Sequence, residues 1–213
     1  MARFWSNVDI DIQTVLGAAQ VVSAVTKADP GVATYVGTDP ANNDIFVFSS
    51  VLGMTQINDR AFAAKNVVGG SNTLEFGEDT TDYGTFVSGN LQPVTLGASM
   101  NTVTGVTASG GEPEFADITT IHDQVRRRVP TVVSPFQVAF ECLWDPSDAA
   151  HVELASASRT ITRRVIKITF SDSSFMVGYA YVSAANVPTG NAQDAVKTNI
   201  TLSFDGIPTV YAA

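Results

Sequence analysis

A mostly β fold with one short helix is what this 213-residue sequence predicts, and three observations predict it. Apolar and polar residues alternate with period two through Phe136–Trp144, Ile166–Phe170, Phe175–Tyr181 and Val196–Phe204, as in strands with one buried face. Asp145-Pro146-Ser147-Asp148 interrupts that alternation with a helix start: an Asp N-cap, Pro at the first helical position and an acid in the first turn. Between residues 20 and 89, short β-prone runs alternate with turn clusters, the spacing of a small β-barrel or sandwich.

The first strand spans about Asn7 to Leu16. Val8, Ile10, Ile12, Thr14 and Leu16 face one way, and Asp9, Asp11, Gln13 and Val15 the other. Two carboxylates on one strand face suit acid–base chemistry or a cation. No third ligand or base follows nearby, so the pair reads as a solvated face. The β-prone runs that follow are Val21–Thr26, Val32–Val36, Ile45–Val51, Ala61–Val68, Thr73–Phe76 and Thr85–Val87. Turn chemistry separates them, as at Asp29-Pro30-Gly31 and Val68-Gly69-Gly70-Ser71-Asn72. Glu75, Glu78, Asp79 and Asp82 lack the alternating ligand positions of a calcium loop and read as a solvated loop.

From Tyr83 to Gly111 there is no charged residue, a texture that suits one or two strands covered by neighbours. Ala108 to Ala116, around Gly110-Gly111, reads as a flexible tip, and Asp117 to Pro130 as a loop ending in Arg126-Arg127-Arg128. Three arginines can hold phosphate or pair with acids on another copy of the chain. The overall balance and the lack of flanking aromatics favour pairing. The helix is expected from about Pro146 to Ser158, with Ala149, Val152 and Ala155 as a thin apolar stripe and Arg159 at its C-terminal end. Turns at Ser171–Ser174 and Pro188–Asn191 separate the last three strands.

Composition bounds the function. Charged residues are only 15% of the chain, which points either to a neutral β surface or to burial in an assembly. The net charge of −9 argues against a nucleic-acid binder. Cys142, the single cysteine, lies on the apolar face of its strand and reads as an inert buried thiol. Met1-Ala2-Arg3-Phe4-Trp5 leads directly into alternation, so no secretory leader is expected, and no run is long and apolar enough for a membrane helix. His122 and His151 lack partners at metal-ligand spacing, and neither a nucleophile elbow nor a phosphate loop is present. No catalytic, cofactor or metal residue is therefore expected.

Two resemblances add to this reading. Val51–Asn58, Asn72–Phe76 and Asp79–Gly89 resemble a small β module known as the first catalytic cysteine half-domain of ubiquitin-activating enzymes, which recurs in phage tail and baseplate proteins. The usual His-Gly-Leu turn is replaced here by Thr38–Asp44. Met1–Leu16 and Asn90–Ala213 resemble the major tail tube protein of long-tailed, siphovirus-type bacteriophages, most tellingly in strand order and in the Asp-Pro-Ser-Asp helix start. The same fold serves contractile tails and secretion tubes. The resemblance implies a discontinuous tail tube domain, residues 1–17 and 90–213, that forms a β-sandwich or barrel. Residues 18–89 would be an inserted small β-barrel module on the tube exterior.

It further implies a structural virion protein whose hexameric rings stack into a hollow tube for DNA ejection. The partners implied are the chain itself, a tape-measure protein, tail-end proteins and, transiently, phage DNA. The expected location is the virion tail, with the host cytoplasm during assembly. The expected lumen-facing residues are Asp9, Asp11 and Gln13 on the first strand and Asn199, Thr201 and Ser203 on the last, in a net negative channel. The expected inter-ring residues are Glu112, Glu114, Asp123, Arg126, Arg127 and Arg128. Two other readings stay open: a baseplate or capsid decoration protein carrying the same module, and a glycan-degrading tail enzyme.

Overall fold

The computed structural model describes residues 7–185 and 187–213; the expected tube-domain residues Met1–Ser6 lie outside them. Strands β1 (Asp9–Leu16), β2 (Gln20–Val25), β3 (Val32–Val36), β4 (Ile45–Leu52), β5 (Ala61–Ala63), β6 (Lys65–Val68) and β7 (Thr73–Glu75) come first, with a short 3₁₀ turn at Thr55–Ile57. Then follow β8 (Ser88–Ser99), β9 (Val103–Ser109), β10 (Pro113–Asp117), β11 (Arg128–Val133) and β12 (Gln137–Leu143). Helix α1 (Ala149–Thr160) precedes β13 (Arg163–Thr169), β14 (Phe175–Ala184), β15 (Lys197–Phe204) and β16 (Thr209–Tyr211). The expected mostly β fold with one α-helix is observed.

One antiparallel sheet runs in the order β6-β7-β3-β2-β8-β1-β13-β14-β15-β12-β9, with β4 and β5 branching from β8 and β16 from β14. Strands β10 and β11 form a separate two-stranded ribbon. From β1 to β9 the sheet curls around a first core. Ile10 and Ile12, Ile166 and Ile168, Ala180 and Val182, Ile200 and Leu202, and Val138 and Phe140 meet there with Ala150, Leu154 and Ala157 of α1. Cys142 belongs to this core, and burial pushes its thiol up to about 11, so it stays protonated and unreactive at neutral pH.

A second core lies within residues 22–91, around Phe46, Phe48, Phe62 and Phe76, whose rings meet mostly edge to face. A third joins the two. Ile45, Val47, Ala61 and Ala63 pack against Val165, Phe175, Val177 and Tyr211. Polar groups pin this seam. The Ala63 N–H donates to the Tyr211 hydroxyl at 2.9 Å, and that hydroxyl donates to the Phe76 carbonyl at 2.8 Å. The Arg60 guanidinium donates to both Glu78 oxygens, at 2.7 and 3.0 Å, and to the Ile207 carbonyl at 3.2 Å. Arg163 bridges Asp59 at 3.3 Å and Asp205 at 2.6 Å.

Several local expectations are corrected. The helix starts at Ala149, later than Pro146, because Asp145 is engaged by the Ser147 N–H and hydroxyl at 2.9 and 2.6 Å. Asp148 caps instead, accepting from the Ala150 and His151 N–H groups at 2.8 and 3.1 Å. The buried stripe is Ala150, His151, Leu154 and Ala157, while Val152 is 55% exposed. Leu154 is the largest apolar side chain available, and its burial against the sheet sets the helix rotation; a buried Leu contributes roughly 1.5–3 kcal/mol.

Trp144, expected inside, is 43% exposed, because the strand ends at Leu143 and the Trp144 N–H turns to the Val196 carbonyl. Thr85–Val87 is irregular, and Ala61–Val68 divides into β5 and β6. Ala108–Ala116 comprises the end of β9, a turn and most of β10, so the hairpin tip lies further on, between Asp117 and Arg128. Gly110 and Gly111 take left-handed φ values of 85° and 80° and turn β9 into β10, and a Cβ on Gly110 would lie 2.0 Å from the Pro135 carbonyl oxygen. The expected loop Asp117–Pro130 includes the tip of the β10–β11 ribbon and the start of β11.

Candidate assembly surfaces

Three surface features remain after the cores are filled. The first is a polar sheet face. Residues 137, 139 and 141 on β12 register with 203, 201 and 199 on β15 and with 109, 107 and 105 on β9. Their partners in the alternation, Val138, Phe140, Ile200 and Leu202, point into the first core, so Gln137, Ala139, Asn199, Thr201, Ser203 and Thr107 project from the opposite side. Glu141 accepts from the Lys197 ammonium at 2.8 Å, which raises the lysine pKa and cancels the two charges locally. The face is therefore short-chained and nearly neutral.

Asp9 and Asp11 lie on the same side of the sheet, since Ile10 and Ile12 face the core. Asp11 registers with Lys167 and accepts from the Ser99 hydroxyl at 2.5 Å. Between these acids and the β15 face lie Val165, Phe175 and Val177, buried in the seam. The two groups expected at the lumen are thus not brought together. Gln13 leaves the exposed face altogether. It is 5% exposed between register shifts on both sides, beside the seam, and its side-chain oxygen accepts from the Val165 N–H at 2.9 Å.

The second feature is an open edge. β9 ends the sheet order, with β12 as its one strand neighbour among the described residues. Such an edge presents unpaired backbone donors and acceptors, a template for another chain.

The third is the β10–β11 ribbon, an arm whose strand residues are all exposed. Its tip is held by Asx-type bonds. Asp117 accepts from the Thr119 N–H at 2.9 Å, and Asp123 accepts from the Thr120 N–H and hydroxyl, both at 2.9 Å. These bonds hold both carboxyls below their ordinary pKa. All six expected inter-ring residues lie on this arm. Glu112 sits at its base, Glu114 in β10, Asp123, Arg126 and Arg127 in the tip, and Arg128 at the start of β11 opposite Asp117. Asp123 and Arg127 approach to 3.8 Å.

The arm also carries Phe115, Ile118, Ile121 and Val125 in solvent, with Ile121 96% exposed. Sequence reasoning missed this. The signal was four large apolar residues inside a stretch otherwise read for its charges.

The family model described as phage tail tube protein, TTP, matches residues 52–213. The chain belongs to the phage tail tube protein family. The match includes the arm, the polar face and the open edge, and it begins within the stretch likened to the inserted module. No curated protein matches the chain. Membership makes this tail tube protein a structural component of the virion tail that self-assembles into a tube. No group of three or more His, Cys, Asp or Glu residues suited to a metal occurs among the described residues.

Proposed function

We propose that this tail tube protein assembles as hexameric rings stacked into a hollow tube through which the phage genome passes during ejection. The observation that carries the reading is the open β9 edge running into an arm whose strands are exposed and which carries large apolar residues in solvent. Both features are liabilities in a free chain, and repetition removes both: a neighbour in the ring covers the edge, and a neighbouring ring covers the arm.

The channel wall is the β15–β12–β9 face, with Asn199, Thr201 and Ser203 at its centre. Duplex DNA carries about one negative charge per 1.7 Å, and cations that neutralise phosphates add affinity. A wall of short neutral side chains, with Lys197 paired to Glu141, lets DNA slide without capture. Asp9 and Asp11 are the second candidates, and they act by repulsion. Residues 18–89 form the module on the tube exterior. The tape-measure and tail-end proteins are partners in assembly, which takes place in the host cytoplasm, and the chain has no catalytic role.

Negative-stain electron microscopy of the purified protein tests the reading. Rings and tubes with a central channel are expected. A population of compact monomers or trimers at high concentration overturns it in favour of a decoration protein.

A further inference from the structure

The arm and a second apolar feature sit at opposite ends of one strand. The arm enters β12 at Gln137 through Ser134, Pro135 and Phe136. The other end of β12, at Leu143, opens on a groove of about 210 Å³ between α1 and the ends of β14 and β15. Trp144, Pro146, Val152, Ala155, Ala184 and Ile200 supply most of its apolar lining. Trp144 is 43% and Val152 55% exposed. The two ends are six residue steps apart, about 20 Å at the strand rise of ~3.3 Å per residue.

We propose that the groove of one subunit receives the arm tip of a subunit in the adjacent ring, Ile121 and Val125 first. This rests on the stacked-ring reading and names the surface that the arm meets. An apolar projection at one end and an apolar recess at the other make a heterologous, head-to-tail contact. Such a contact satisfies neither surface until it propagates along an axis.

Charge complements the apolar fit. The groove lies against α1, with Asp145 just before the helix and Arg159 in its last turn among its lining residues. Hydrogen bonds from Ser147 keep the Asp145 carboxyl below its ordinary pKa, so it is anionic at neutral pH. In the arm, Arg126 and Arg127 lie in the tip with Asp123, and Arg128 stands opposite Asp117 where the strands begin, so three arginines face two acids there. A tip seated at the helix N-terminal end of the groove brings Arg126 and Arg127 to Asp145.

Intersubunit cross-linking tests the docking. Ile121→Cys/Val152→Cys changes two exposed side chains, and the native Cys142 is buried. The expected result is a ladder of disulfide-linked chains in assembled tubes under mild oxidation. Ile121→Cys/Val210→Cys, which uses an exposed residue on β16, should give none. Single Ile121→Asp or Val152→Asp should cut the pelletable tube fraction about tenfold or more, with melting unchanged. Tubes without the Ile121–Val152 disulfide, or with equal cross-linking to Val210, overturn the docking and leave the tube reading standing. Wild-type protein that forms no tubes overturns both.

Discussion

The second core and the arm treat apolar residues in opposite ways. Phe46, Phe48, Phe62 and Phe76 are all 1% exposed or less, and the seam beside them is closed by Tyr211 and Arg60. Phe115, Ile118, Ile121 and Val125 are 45% exposed or more, on a ribbon outside the main sheet. One region spends its apolar surface on holding the chain together. The other keeps it free for a neighbour. Stability and assembly should therefore separate under mutation.

The largest effect is expected at the seam. Tyr211→Ala removes a ring stacked on Phe175 at 4.9 Å and orphans the Ala63 N–H. Destabilisation of about 3–5 kcal/mol is expected, as for large aromatic truncations in a core. It is read from the denaturant midpoint, and a loss below 1 kcal/mol would mean that the seam is incidental. Removing the whole of residues 18–88 should be worse, because it uncovers Val165, Phe175 and Val177 together. Residues 18–88 are bound into the fold by that seam, whatever their place on the tube.

Next comes Arg60→Ala. It leaves Glu78, whose side chain is 17% exposed, without its bidentate partner, at a cost of about 3 kcal/mol for breaking a buried pair. Arg60→Met with Glu78→Leu should recover most of that loss, because no charge is then left unpaired. If the double variant is no better than Arg60→Ala, the network to Ile207 and Thr209 carries the stability instead.

In the arm the expected pattern reverses. Arg126→Ser/Arg127→Ser/Arg128→Ser should change stability by less than about 0.5 kcal/mol, as for exposed substitutions generally. Tube formation should nevertheless be slowed or lost in light scattering. Wild-type polymerisation in that variant would take the arginines out of the contact.

The smallest effect is local and pH-dependent. Asp117 and Asp123 titrate below the ordinary 3.8 because their ionised forms accept the tip hydrogen bonds. The stabilisation is fully present above that value and is lost as pH falls through the depressed folded pKa values. Amide exchange at Thr119 and Thr120, normalised for its intrinsic pH dependence, should lose protection below about pH 4, while the core amides hold. Protection that persists there would show that the ribbon's backbone pairing alone orders the tip.

The same contrast explains what was legible in the sequence. Alternation marked β12 and β15 because each buries one face, a local property; in β14, which buries Phe175 and Val177 in the seam and Ala180 and Val182 in the first core, it marked only one of two buried faces. The helix start was displaced by three residues because Asp145 and Asp148 are both good caps, and only the Ser147 contacts decide between them. The burial of Gln13 goes with register shifts against β8 and with the seam beside it, neither of which single-strand periodicity contains. The seam joins residues far apart in the chain; Arg60 and Thr209 are 149 positions apart. The six charged arm residues could be named as a group, but the exposure of Ile121 and Val125 could not. An isolated apolar residue looks the same in sequence whether a core or a neighbouring subunit will cover it.

Cryo-electron microscopy of the assembled protein tests the central claim most directly. The account predicts stacked rings in which the β10–β11 arm crosses from one ring to the next and Asn199, Thr201 and Ser203 face the channel. An assembly in which the arm folds back on its own subunit, or in which the β15 face is buried between neighbours, would contradict it.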